Sequence, residues 1–157
     1  MPRWPITDQA ARDMYSGGRG DKTARWYARL WRRVIRTGLL PRRWVVLEVP
    51  GRISGRTTSF PLGMADLNGH WYLVSMLGEC NWVANVRAAD GHVVLRQLRR
   101  RAVRLVEVPT ADRAMVLSRH VDKAPGARPH IPVPKGSPVE EFAAVADSYP
   151  VFEVLSD

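Results

Sequence analysis

Residues 44–75 have the sequence WVVLEVPGRISGRTTSFPLGMADLNGHWYLVS, and this stretch decides the fold. It contains three strand-like runs, 44–49, 57–64 and 71–75, which are rich in β-branched and aromatic residues. Asn68-Gly69 precedes the third run and favours a type I′ hairpin turn, because both central residues of that turn need a positive φ. The stretch therefore predicts antiparallel strands joined by short turns.

The rest of the chain extends this pattern. Three more strands are predicted, a pair over 93–98 and 102–108 and a last one over 151–155. Helices are predicted over 21–37, 81–88, 110–121 and 138–146. Six short strands that arrive as hairpins tend to close into an antiparallel barrel, so the expected fold is mainly β with peripheral helices (α+β). Residues 1–20 are expected to form a flexible arm, and residues 21–157 a single domain.

Composition excludes several classes of protein. The chain has 157 residues, a net charge of +9 and 24 basic residues, and only three of those are lysines. A single cysteine, Cys80, excludes an internal disulfide and a multi-cysteine metal site, and the four histidines lack metal-ligand spacing, so no metal is expected. No apolar run is long enough to span a membrane, and the N-terminus does not resemble a secretory signal, so we expect a cytoplasmic protein. The basic charge is explained either by an anionic partner or by genome composition, because arginine codons are rich in G and C.

The helix predicted over 21–37 has two faces. An apolar stripe repeats at helical spacing, and a row of arginines lies on another face. The stripe is Tyr27, Leu30, Trp31, Val34 and Ile35, and the row is Arg25, Arg29, Arg32 and Arg36. The pattern is typical of a surface helix that packs its stripe on the core. It is also compatible with a helix that lies on an anionic membrane or lines an anionic ligand.

Two further elements are suited to anions. The turn 51–56 has two glycines that let backbone N–H groups converge, and Ser54, Arg52 and Arg56 add a hydroxyl and two guanidinium groups. An ordinary hairpin connection is the alternative. The helix 81–88 presents a positive N-terminus, with Asn81 as a candidate cap and Trp82, Asn85 and Arg87 close together. Trp82 could equally be a core residue.

Taken in order, these motifs resemble a known family. They are Val-Pro-Gly-Arg-Ile-Ser-Gly-Arg56, Pro61-Leu62, Trp71-Tyr-Leu-Val-Ser75, Gly78, Asn81-Trp82-x-x-Asn85 and His92-Val-Val-Leu95. The sequence thereby resembles the deazaflavin-dependent nitroreductase family, the split-barrel flavin and deazaflavin oxidoreductases of actinobacteria. The resemblance runs from about residue 43 to 108.

The resemblance implies a six-stranded, FMN-binding-like split β-barrel that uses the deazaflavin coenzyme F-420, with FMN less favoured. Hydride would pass from the reduced coenzyme to an electron-poor quinone, enone or nitro compound. The implied coenzyme-binding residues are Arg52, Ser54, Gly55 and Arg56 for the phosphate and acidic tail, Pro61, Leu62, Ser75 and Gly78 around the ring, and Trp82, Asn85 and Arg87 at the polar linker. Catalytic candidates are Ser75, His130 and Tyr149.

One departure from the family pattern supports an alternative function. Met76 follows Ser75, where well-studied members have a lysine. A member of the same fold that binds a lipid, fatty acid or quinone at the membrane surface, with weak or no reductase activity, is therefore the alternative. Its contact with anionic lipid would be through the helix 21–37, peripheral on the inner membrane face. Nucleic acid is not an expected partner, because no recognition helix or aromatic-basic signature is present. The expected assembly is a monomer or homodimer.

Overall fold

The protein forms a closed barrel of six antiparallel strands in the order β1-β2-β3-β6-β5-β4. The structure is a computed structural model that describes residues 22–124 and 127–156. The strands are β1 (Trp44–Pro50), β2 (Thr57–Leu67), β3 (His70–Val74), β4 (His92–Arg96), β5 (Arg100–Glu107) and β6 (Val151–Ser156). The helices are α1 (Lys22–Arg36), α2 (Asn81–Ala88), α3 (Ala114–Lys123) and α4 (Val139–Val145). The predicted fold class is thus confirmed.

The hairpin signal in the sequence sets the register of the first strands. Asn68 and Gly69 have φ values of 52° and 81°, as the type I′ turn requires, and β2 continues to Leu67 to meet β3. This makes β2 three residues longer than predicted. The barrel closes where β1 pairs with β4, with Leu47 opposite Leu95.

One predicted helix is divided in two. The residues expected to form a helix over 110–121 form a 3₁₀ turn at Thr110–Asp112 and then α3. Arg113 separates them, and its buried guanidinium group donates to the carbonyl oxygens of Val108 and Ala146. The helix therefore begins after Arg113, where its side chain is anchored.

Two hydrophobic clusters support the barrel. The larger fills its interior with residues of all six strands and is capped by Trp82, Val83 and Val86 of α2. The second lies outside, where α3, α4 and the segment 127–133 cover Ala65 and Val74. A cavity remains between the barrel and α1.

The apolar stripe of α1 packs less completely than the sequence suggests. Ile35 is fully buried, but Leu30 and Trp31 are exposed, and Trp31 stacks on Trp44 with ring centroids 5.4 Å apart. Ala24 is also fully buried. The stripe therefore packs on the barrel only in part, and along the first half of α1 the short side chains of Ala24 and Ala28 face the barrel. The flexible arm predicted over 1–20 and Asp21, the first residue of the predicted helix 21–37, lie outside the described residues.

No helix within the described ranges is long and apolar enough to cross a membrane.

Candidate functional site

A cavity of about 540 Å³ lies between α1, the paired strands β1 and β2, and the start of α2. Its size falls within the usual range for small-molecule sites, roughly 300–1,000 Å³. Apolar and aromatic side chains form its walls, namely Leu47, Val49, Phe60, Leu77 and Trp82. Its polar lining comes from Thr58, Ser59, Cys80, Asn81 and Asn85. This combination of a flat apolar wall and convergent polar groups is typical of a site for a planar ligand.

Three arginines of α1 form the basic edge of the cavity. Arg25, Arg29 and Arg32 line it together with Ala24 and Ala28, whose short side chains leave the space open. Among the residues that the structure describes, no carboxylate lines the cavity and none forms an ion pair with these arginines. The positive charge at this edge is therefore left for a ligand or solvent to balance.

Burial and charge repulsion at this edge of the cavity both act on Arg32. Its Nη1 donates to the carbonyl oxygen of Ser59 at 3.0 Å and to Ser59 Oγ at 3.1 Å, which holds the guanidinium group at the cavity. Burial lowers the pKa of Arg32, and the positive charges of Arg36 and Arg29 lower it further. Since an arginine stays protonated in proteins, an anion placed among these side chains would relieve the repulsion.

Trp82 belongs both to the core and to the site. It is buried, packs on Phe152 with ring centroids 5.8 Å apart, and also forms part of the cavity wall. Phe60 lies on the same barrel-facing side of β2, opposite Leu47. Trp82 is therefore a core residue that also lines the cavity, and its contact with a ligand stays a prediction.

Arg52, Asn81 and Asn85 meet at the mouth of the cavity. The backbone N–H and Nη1 of Arg52 donate to Asn85 Oδ1 at 3.1 and 3.0 Å, and its Nη2 donates to Asn81 Oδ1 at 3.4 Å. These bonds fasten the turn 51–56 to the first turns of α2. Asn81 does not cap the helix as expected, because Cys80 takes the N-cap position and Asn81 accepts from Arg52 instead.

The turn 51–56 uses most of its own amides. The N–H of Gly51 donates to the Arg56 carbonyl, that of Gly55 to the Gly51 carbonyl, and that of Arg56 to Ser54 Oγ. With the Arg52 amide bound to Asn85, four amides that were expected to converge on an anion are already engaged. What this turn offers a ligand is the exposed side chains of Arg52 and Arg56.

Arg87 is held by carboxylates and does not line the cavity. It donates to both oxygens of Glu79 and of Glu107 over distances of 2.6–3.0 Å. These two carboxylates raise the pKa of Arg87 above its ordinary value. Its predicted contact with a coenzyme linker conflicts with this structure, because an ion-pair network already uses its donors.

The residues expected around a ring lie beside the cavity and not in its wall. Leu62 is part of the barrel core, and its pairing with Val45 and that of Pro61 with Val46 put both further along the barrel than Phe60. Ser75 is buried, and its Oγ donates to the carbonyl oxygen of Gly78 at 2.6 Å. That bond shapes the loop that brings Cys80, 3.5 Å from Ser75 Oγ, to the cavity.

The other two catalytic candidates lie elsewhere. Tyr149 packs on the outer cluster, and its hydroxyl donates to the carbonyl oxygen of His130 at 2.7 Å. Burial raises the pKa of Tyr149. None of the three candidates lines the cavity, although they lie near one another, since the N–H of Ser75 donates to the carbonyl oxygen of Pro150, next to Tyr149. Nor do the described residues contain a cluster of three or more His, Cys, Asp or Glu side chains that could hold a metal ion.

The α1 side of the cavity is the part that sequence reasoning left unassigned. The row of arginines was visible, but its partner was open between core, membrane and ligand. A usable signal was the helical spacing of Ala24 and Ala28, which places these small residues beside Arg25, Arg29 and Arg32. No feature of the sequence singled out Phe60 as a residue of the cavity wall.

Comparison with known proteins supports the fold. No protein-family model and no curated protein matches the chain. Among solved structures, Atu2129 of Agrobacterium tumefaciens, a protein of unknown function, is 12% identical over 78% of this chain and 52% of that chain, with a TM-score of 0.53. A protein solved as a domain-swapped dimer is 18% identical over 85% of this chain and 99% of that chain, with a TM-score of 0.51. An F-420-H2 dependent reductase is 22% identical over 73% of this chain and 96% of that chain, with a TM-score of 0.47. At these identities the likeness shows a shared barrel fold.

Proposed function

We propose that the cavity binds the deazaflavin coenzyme F-420 and that the protein is an oxidoreductase acting on an electron-poor small molecule. The observation that carries the proposal is the cavity itself, which has an aromatic and apolar wall, a basic edge of Arg25, Arg29 and Arg32, and no carboxylate among the described residues of its lining. A planar ring joined to an anionic tail matches both parts of this lining.

The residues present fit such a group. Trp82 and Phe60 offer aromatic surface to a ring, Asn81 and Asn85 offer amide groups, and the α1 arginines offer guanidinium forks to phosphate or carboxylate oxygens. The chemistry that the reduced coenzyme supplies when bound is transfer of a hydride to a quinone, enone or nitro compound. The chain's own residues bind, orient and keep water from one side of the ring.

The number of cations favours F-420 over FMN. A single phosphate could be held by one or two arginines, whereas Arg25, Arg29 and Arg32 along one helix, with Arg52 at the mouth, suit a phosphate followed by several carboxylates. The absence of a lysine after Ser75 is then offset by arginines from α1.

The test is a titration of the purified protein with F-420 and, in parallel, with FMN, followed by coenzyme fluorescence. We expect binding of F-420 well below 100 μM, a free energy more favourable than about −5.5 kcal/mol. Arg29→Glu should weaken it by about tenfold or more, because one charge-assisted contact is replaced by a repulsion.

Arg33→Glu is the matched control. It makes the same charge change on the same helix, but Arg33 is exposed and does not line the cavity, so screening should limit its effect to about twofold. Failure of F-420 to bind, or equal losses in the two variants, would contradict the proposal. Selective binding of FMN would make the protein a flavin enzyme. Oxidation of the reduced coenzyme on adding a simple quinone then tests the reaction itself.

A further inference from the structure

The end of the barrel away from the turn 51–56 carries a second basic surface. It consists of the loop 37–43 after α1 and the segment 97–101 between β4 and β5, which we call the basic tip. These twelve residues include five arginines and three leucines but no Asp or Glu. Sequence position alone does not show that the two segments touch.

The structure joins them. Gln97 Nε2 donates to the carbonyl oxygens of Arg42 at 2.7 Å and Trp44 at 2.8 Å. Gly38 has a φ of 72°, and a Cβ there would lie 2.9 Å from Leu98 Cβ, so the two backbones pack with no room for a side chain. The basic tip is therefore one continuous surface with a fixed shape.

Two leucines project from this surface. Leu39 is 86% exposed and Leu98 is 70% exposed, one from each segment. A single exposed apolar side chain is ordinary, but here two exposed leucines project from two loops that touch at Gly38 and Leu98. Behind Leu98 lies a cavity of about 340 Å³, whose lining includes Leu40, Arg42, Arg99 and Arg101.

Most of the tip's charge is not neutralised by the protein. Arg100 pairs with Glu48 at 2.8 Å, and Arg43 lies over the Trp44 ring, 5.0 Å from its centroid. Among the described residues, no carboxylate forms an ion pair with Arg42, Arg99 or Arg101. The tip thus combines apolar points with cations that lack anionic partners.

We propose that the basic tip docks on an anionic lipid bilayer, with Leu39 and Leu98 entering the boundary of the acyl chains and Arg42, Arg99 and Arg101 contacting lipid phosphates. Membrane-surface segments combine these two features, since apolar insertion and electrostatic attraction add. A nucleic acid would form ion pairs with the arginines but would leave both leucines exposed to water.

The sequence had suggested α1 as the membrane contact. Arg25, Arg29 and Arg32 of that helix line the first cavity, however, so the proposed contact surface lies at the end of α1. The inference does not depend on the coenzyme.

The experiment is co-sedimentation of the purified protein with vesicles of equal parts phosphatidylglycerol and phosphatidylcholine, and with phosphatidylcholine alone, at about 0.15 M salt. We expect binding to the anionic vesicles only. Leu39→Ser combined with Leu98→Ser should lower the partition coefficient by about tenfold or more, because apolar insertion is lost. Arg101→Glu should lower it by about tenfold through two units of charge.

The chain supplies matched controls for both changes. Ile53 is 90% exposed on the turn at the far end of β1, so Ile53→Ser removes an equally exposed apolar side chain away from the tip. Arg56→Glu makes the same charge reversal at that end. Circular dichroism confirms that each variant is folded.

Three outcomes would overturn the proposal. The first is no binding to anionic vesicles. The second is a double leucine variant that binds like the wild type, or an Ile53→Ser variant that binds worse than it, which would place the contact elsewhere. The third is binding of a DNA duplex that the tip variants abolish while vesicle binding is absent, which would make the tip a nucleic-acid surface.

Discussion

Two groups of arginines in this protein differ in what balances their charge. Arg87 and Arg113 converge on Glu107, and Arg87 also binds Glu79. The cavity arginines, Arg25, Arg29 and Arg32, have no ion pair with a described carboxylate, although they carry the same charge on the same fold. In a chain of net charge +9, arginines of the first kind hold the fold together, and those of the second kind are available to a ligand.

The physical reason is that a guanidinium group does not lose its positive charge by deprotonation. An arginine does not deprotonate at physiological pH, so a carboxylate, carbonyl dipoles or water must stabilise it. Where the protein supplies those partners, removing the arginine leaves buried acceptors unsatisfied. Where it does not, as at Arg25 and Arg29, removal should leave stability almost unchanged and affect only what binds there. Arg32 lies between the two kinds, because it lacks a carboxylate partner but donates to the carbonyl oxygen of Ser59. The predictions below test that division.

The largest effect is expected at Arg113. Its side chain is only 8% exposed, and it donates to the Val108 and Ala146 carbonyl oxygens and to Glu107. Arg113→Ala would leave these acceptors without their donor and should lower the free energy of unfolding by about 3 kcal/mol or more. Urea denaturation measures it, with the exposed Arg33→Ala as the control at about zero. A loss below about 1 kcal/mol for Arg113→Ala would break the comparison.

His120 extends the comparison to a buried side chain that, unlike an arginine, can lose its charge. Burial, together with the positive charge of Arg43, lowers its pKa to about 4. The unfolded chain, with an ordinary histidine pKa near 6.5, therefore binds a proton over a range of pH in which the folded protein does not. The stability that follows is present above about pH 6.5 and is lost as the pH falls toward 4.

The size of this effect follows from the linkage. Between about pH 7 and pH 5 the free energy of unfolding should fall by about 2 kcal/mol. Urea denaturation at the two pH values measures the change, and His120→Leu should remove most of it. A pH dependence that is the same in the wild type and in this variant would show that His120 is not its source.

The sequence predicted the fold well because its signals are local. Asn68-Gly69 requires positive φ angles that few other pairs tolerate, and that turn alone sets which faces of β2 and β3 point inward. Trp82 and Asn85 were found for the same reason, since they lie one turn apart on α2.

The missed parts of the site depend on contacts that are distant in sequence. Arg87 looked available because Asn85 is its neighbour, yet its partner Glu107 lies 20 residues away on β5. The α1 arginines were visible as a row, but only the folded barrel shows that Ala24 and Ala28 leave a cavity beneath them. The local sequence pattern identifies a helix or strand and its apolar and polar faces. Which residues each face contacts is known only from the tertiary structure.

The smallest effects provide the closest test, because Arg87 and Arg29 are both exposed arginines on helices. Arg87→Ala breaks its contacts with Glu79 and Glu107, but the Arg87 side chain is 41% exposed, so solvent screening should limit the loss of stability to about 1 kcal/mol. Arg29→Ala breaks no ion pair with a described carboxylate and removes a like charge beside Arg32, so stability should stay within about 0.5 kcal/mol of wild type or rise slightly. Adding about 1 M salt should shrink the first effect and leave the second near zero, because screening acts on pairs. Equal losses in urea denaturation would mean that the cavity arginines also hold the fold, and the coenzyme-binding role would then lose its physical basis.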